Sequence, residues 1–65
     1  MKTKLSTIKL LVPKRILIVD DHPMTRQGVS QLLSREPDLA VCGEVENAQQ
    51  AMVAVQSLKP DLVLT

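Results

Sequence analysis

Ile16-Leu17-Ile18-Val19-Asp20-Asp21-His22-Pro23 carries four apolar residues directly into two adjacent carboxylates and then into a proline. A continuous run rich in β-branched residues, closed by turn residues, is the pattern of a strand covered on both faces, as in a parallel sheet. The acids then stand at its carboxyl end. In open α/β sheets that is the end where ligands bind, so Asp20 and Asp21 are candidate ligands for a hard cation. The alternative is a solvated strand-to-helix turn in which Asp21 or His22 caps the following helix.

Outward from this stretch the punctuation is regular. Pro23 suits the first turn of a helix, where its missing N–H is no loss, and the pattern predicts a helix to about Glu36, ended by Pro37. Val29, Leu32 and Leu33 are its expected inner stripe, with Arg26, Gln27 and Ser30 toward water. Leu39 to Val45 alternates as a strand with one face better covered, hence an edge strand. Asn47 and Gln50 resemble a capping box for a second helix, whose expected inner stripe is Ala48, Ala51, Met52, Val55 and Leu58. Lys59 and Pro60 close that helix, and Leu62-Val63-Leu64 is a third apolar run. Strand and helix thus alternate as β-α-β-α-β. Right-handed crossovers make the strands parallel, and the unbroken apolar character of the first strand places it in the middle, in the order 2-1-3. The expected class is α/β, the opening half of a flavodoxin-like sheet, with the acid pair beside its switch point.

Composition narrows the function. At 65 residues with 45% hydrophobic content, one small globular domain is expected, in the size range where a single core is marginal. Eight basic and seven acidic residues give a net charge of +1, so no bulk field attracts nucleic acid or an anionic membrane. The absence of aromatic residues removes stacking platforms for single-stranded nucleic acid. Cys42, the single cysteine, excludes an internal disulfide and fits a reducing cytosol. It reads as a packed, inert thiol, and Met24 and Met52 read as core filler. His22 has no second His or Cys at ligand spacing and reads as a turn residue. Gly28 and Gly43 stand alone, so there is no Gly-rich phosphate loop. Residues 1–13 interleave Lys2, Lys4 and Lys9 with Leu5, Ile8, Leu10 and Leu11 and are expected to be a flexible leader. Their apolar run Leu10 to Val12 falls short of the roughly 7 to 15 residues of an export signal, and nothing is long enough to span a bilayer.

Three segments carry a resemblance: Arg15-Ile16-Leu17-Ile18-Val19-Asp20-Asp21-His22-Pro23, Cys42-Gly43-Glu44-Val45, and Lys59-Pro60-Asp61-Leu62-Val63-Leu64-Thr65. Together they resemble a bacterial response-regulator receiver domain of the NarL/LuxR-like transcription-factor type. The resemblance spans residues 14–65, the first half of a receiver. It implies that the acid pair holds Mg²⁺, with Asp21 as direct ligand and Asp20 as ligand through water or as a hydrogen-bonded support. It further implies a cytoplasmic phosphorelay protein, a histidine kinase as partner, and DNA contact only through an output domain that these 65 residues do not include. In receivers the phosphorylated aspartate ends strand three. On this alignment it falls one position after Thr65, so these residues contain no phosphoacceptor, and Asp61 at the strand's amino end cannot substitute.

Three function classes follow. The first is a receiver fragment, inactive for want of the acceptor and not an enzyme. The second is a short decoy that binds a histidine kinase or a response regulator without chemistry, and the third a Mg²⁺-dependent phosphohydrolase using a carboxylate nucleophile. Phosphohydrolases of that kind usually separate their two acids by one residue, whereas Asp20 and Asp21 are contiguous. The exposed third strand is also expected to be a route to self-association, because an unpaired apolar edge recruits strands.

Overall fold

The computed structural model describes residues 12–65, so residues 1–11 of the expected leader lie outside the described residues. Five elements follow one another: β1 (Lys14–Val19), α1 (Pro23–Ser34), β2 (Leu39–Val45), α2 (Ala48–Leu58) and β3 (Leu62–Leu64). They form one parallel sheet in the order β2-β1-β3, as the apolar patterns predict. β1 is central, and its longer apolar run is covered on both faces, whereas the three-residue run of β3 stays exposed at the edge. Ile16, Leu17 and Ile18 are 5%, 0% and 2% exposed, and with Ala54 they make up the buried core of the described residues.

β2 is the edge strand expected. It pairs with β1 from Lys14 opposite Leu39 to Val19 opposite Val45, but the register slips between Ile16 and Leu17, leaving Cys42 as the extra residue. The next residue, Gly43, lies under Leu58 of α2. A Cβ there would stand 2.8 Å from Leu58 Cδ1 and 3.2 Å from Leu17 Cδ1, so the absence of a side chain lets Leu58 settle on the sheet. Neighbouring Glu44 meets Arg26 of α1 instead. Successive strand residues face opposite ways, so α1 and α2 cover opposite faces.

Both helices turn inward a stripe that matches the expected one only in part: Val29 and Leu33 of α1, and Ala51 and Leu58 of α2, face in as expected, and the rest of each stripe differs. In α1, Arg26, Val29, Ser30 and Leu33 are half-buried, while Leu32 is 60% exposed and Met24 86%. Arg26 and Ser30 therefore do not face water, and Met24 is not core. In α2 the contact of Leu58 with the Gly43 site sets the phase. One and two turns back along that face lie Ala54, buried, and Ala51, half-buried, whereas Ala48 is exposed, Met52 is 69% exposed and Val55 40%. Residue size misleads here: the small alanines pack because they let the helix approach, and the bulkier Met52 and Val55 flank a sheet too narrow to cover them.

The helix ends follow local chemistry. α1 stops at Ser34, earlier than expected, and its tail closes in tighter turns, with Arg35 N–H donating to Leu32 O and Glu36 N–H to Leu33 O. At the start of α2, Asn47 Oδ1 accepts from Gln50 N–H at 2.8 Å, while Gln50 Oε1 accepts from Glu46 N–H at 3.0 Å, one residue before the usual capping-box partner. α2 ends at Lys59 in the left-handed region, φ 50°, with Pro60 disfavouring a further helical turn. Arg15 holds that end, donating to the carbonyls of Leu58 and Lys59. Its own backbone N–H donates to Asp61 Oδ2 and its carbonyl accepts from Asp61 N–H, both at 2.8 Å. This pair of bonds sets β3 beside β1, with Leu62 opposite Ile16 and Leu64 opposite Ile18. Among the described residues no helix is long and apolar enough to cross a membrane.

Candidate functional site

β1 hands the chain to α1 through Asp20, Asp21 and His22 at the carboxyl end of the sheet. Asp20 prolongs the pairing with β2, its N–H donating to Val45 O at 3.0 Å. Its carboxylate then turns the chain: Asp20 Oδ1 accepts from His22 N–H at 2.8 Å, an Asx turn that explains why a short acid stands there. His22 occupies the N-cap of α1 in an extended conformation, but no side chain caps that helix. The imidazole instead lies across the acid pair, with Nδ1 2.9 Å from Asp20 Oδ1 and 2.8 Å from Asp21 Oδ1.

The structure thus brings both predicted ligands together and adds His22 to them. One donor atom from each of the three residues falls within 4.8 Å of the others. Asp21 is open to solvent, at 77% exposure, and Asp20 partly shielded, at 28%. Hydrogen bonds from the His22 backbone and ring, aided by the charges of His22 and Arg26, hold the Asp20 carboxyl below its ordinary range against a smaller opposing effect of burial. The Asp20 hydrogen bond, followed by the negative charges of Asp21 and Asp20, raises the pKa of His22.

These shifts fix the sign of a pH effect. A raised His22 pKa contributes stability that is complete below the ordinary value of 6.5 and is lost as pH climbs through the folded-state value. A lowered Asp20 pKa contributes stability present above the ordinary 3.8 and lost as pH falls through the folded-state value. The triad therefore supports the turn best between those two ordinary values. Following the ring protons of His22 by NMR should give a midpoint above 6.5 that falls further in Asp20→Asn than in Asp21→Asn, because the hydrogen bond that the Asp20 carboxylate accepts from the ring is the larger cause. An Asp20→Asn midpoint equal to the parent's would refute that assignment.

Arg26 is the residue the sequence pattern misplaces. Its Nη1 donates to the Asp20 carbonyl at 2.6 Å and its Nε lies 3.7 Å from Glu44 Oε1, with the side chain 19% exposed. A signal existed. A cation in the first turn of a helix opposes the helix dipole, and α1 has no acid there, so Arg26 needs an anionic partner or a carbonyl from elsewhere.

Comparison with known proteins bears on this arrangement. The family model described as response regulator receiver domain matches residues 16–65. The chain is 52% identical over 52 residues to the nitrate/nitrite response regulator protein NarL of Escherichia coli (strain K12), covering 80% of this chain and 24% of that protein. It is 43% identical over 53 residues to the response regulator protein VraR of Staphylococcus saprophyticus, covering 82% of this chain and 25% of that protein. To VraR of Staphylococcus aureus (strain NCTC 8325 / PS 47) it is 44% identical over 50 residues, 77% of this chain and 24% of that protein. The chain spans about a quarter of the length of the curated relatives it matches.

Proposed function

Since the chain belongs to the response regulator receiver domain family, we propose that residues 14–65 are the first half of a cytoplasmic phosphorelay receiver. Its parent binds DNA through a separate output domain, and the 65 residues by themselves do no phosphoryl chemistry. The observation that carries this reading is the convergence of Asp20 and Asp21 at the carboxyl end of the central strand.

The donor set fits Mg²⁺. Both Oδ1 atoms already lie within 2.9 Å of one ring nitrogen, Nδ1 of His22, so the two carboxylates can serve a single positive centre. Their exposure leaves room for the several waters that Mg²⁺ keeps. Asp21 would be the direct ligand, and Asp20, whose carboxylate already accepts from His22 N–H, would act through water or as support. When bound there, Mg²⁺ supplies positive charge against phosphoryl oxygens arriving among carboxylates. Two acids offer an incomplete octahedral shell, so the affinity is millimolar or poorer. The histidine kinase is the protein partner, and α1, whose outward residues include the exposed Met24 and Leu32, is the surface offered for docking.

Titrating Mg²⁺, or Mn²⁺ as a paramagnetic stand-in, should shift or broaden the amides of Val19 to His22 in the parent and leave them unmoved in Asp21→Asn. An equal response in both would defeat the ligand assignment. The same spectra at two protein concentrations address the outer edge of β3, which among the described residues pairs only with β1, and where Leu62, Val63 and Leu64 are 56%, 46% and 44% exposed. We expect these three amides to move with concentration as second copies pair there, and their constancy would remove β3 as a self-association surface.

A further inference from the structure

Asp20 is well held at the strand-to-helix turn: its N–H is bonded to Val45 O and its carboxylate to His22 N–H. His22 is held in turn, its carbonyl accepting from Arg26 N–H at 2.9 Å as the helix begins. Between them stands Asp21, the more exposed acid, whose orientation depends on the peptide that joins it to Asp20. The carbonyl of that peptide is the atom Arg26 Nη1 reaches, at 2.6 Å. A guanidinium donating to a carbonyl at this distance makes a short, charge-assisted bond. Its Nε faces Glu44 at 3.7 Å, and Glu44 is the partner of Ile18 in the β1–β2 register. One planar fork thus spans the tips of two strands from the first turn of a helix.

We propose that Arg26 is the positioning residue of the acid pair: it clamps the Asp20–Asp21 peptide against the tip of β2 so that both carboxylates stay turned toward one cation. This rests on the cation reading above. The geometry suits arginine, whose rigid planar guanidinium presents Nη1 to the carbonyl and Nε toward Glu44 in one fixed arrangement, whereas a lysine ammonium is a compact charge on a flexible stem. Helix stability alone does not account for it, since a cation in the first turn opposes the helix dipole.

The sign of the effect on cation binding separates positioning from simple charge. Arg26 is positive and close to the acids. Were charge its only influence, Arg26→Gln would relieve repulsion and tighten Mg²⁺ binding. Positioning requires the reverse, because the carboxylates lose their common orientation.

The test uses the full 65-residue chain, with Mg²⁺ alone as titrant and the amides of Val19 to His22 as readout. Spectral dispersion of the Ile16 to Ile18 amides confirms folding in each sample. Arg26→Gln should raise the half-response concentration by about tenfold, the low end of the usual cost of losing an outer partner at a metal site. Arg26→Lys, with charge unchanged, should raise it several-fold and decides the matter if Arg26→Gln does not fold. An unchanged or lowered half-response concentration in the folded variant overturns the proposal while leaving the cation reading intact. A parent that does not respond to Mg²⁺, or responds as Asp21→Asn does, overturns the cation reading and this proposal with it.

Discussion

Leu17→Ala is expected to remove most of the folding stability of this chain. Leu17 is fully buried, lies at the middle of the central strand, and is paired with Gly43 on one side and Val63 on the other. Truncating a buried leucine costs about 2–5 kcal/mol, through lost transfer energy and the cavity left behind. A domain below about 70–80 residues rarely has more than roughly 3–5 kcal/mol to lose. Here the buried core of the described residues is four side chains, so few neighbours can collapse into the gap. Urea titration followed by circular dichroism should show Leu17→Ala unfolded, or nearly so, in the absence of denaturant. Leu32→Ala, at a residue 60% exposed on α1, should stay within about 1 kcal/mol of the parent. A Leu17→Ala chain that unfolds at the parent's urea concentration would show that the sheet is not the source of stability.

The second large effect is all-or-none. Incubated with Mg²⁺ and a small phosphodonor such as acetyl phosphate, the 65-residue polypeptide should gain no phosphoryl mass. An acyl phosphate requires a carboxylate nucleophile beside the acid pair. The residue at the carboxyl end of β3 is Thr65, a hydroxyl. Asp61 lies at the other end of the sheet, its carboxylate bonded to Arg15 N–H. Asp20 stands five residue steps beyond Arg15 along the strand direction, about 16 Å at strand spacing. Asp20 is bound by His22 as an acceptor. A polypeptide continued past Thr65 with the remaining half of a receiver should acquire a base-labile adduct, and Asp21→Asn should suppress it. A base-labile adduct on Asp20, Asp21 or Asp61 of the 65-residue chain would overturn the claim that these residues lack an acceptor.

The local rules were legible wherever one residue type has one physical use. Ile16 to Ile18 admit only a doubly covered strand, and that places β1 in the centre and the acids at its carboxyl end. Pro23 and Asn47 start helices because of what their own backbone or side chain can do, and both helices begin there. Asp20 and Asp21 were recognisable as a pair for the same reason: contiguous carboxylates at the end of a core strand serve no packing purpose.

What escaped the sequence was the rotation of each helix about its axis. Apolar periodicity favoured Met52 and Val55, but the phase of α2 is set by Leu58 over the gap at Gly43, a contact between residues 15 positions apart in the chain. In α1 the polar Arg26 turns inward because the Asp20 carbonyl and Glu44 await it there, and only the folded sheet brings those two acceptors together. His22 is the turn residue expected, but only the folded turn shows its ring lying across both acids. The sequence alone determined the strand order, the helix starts and the acid pair, because each follows from local hydrogen-bonding and burial needs. The tertiary structure alone decided which helix faces pack and which side chains support the acids, because those depend on distances between elements that no local pattern encodes.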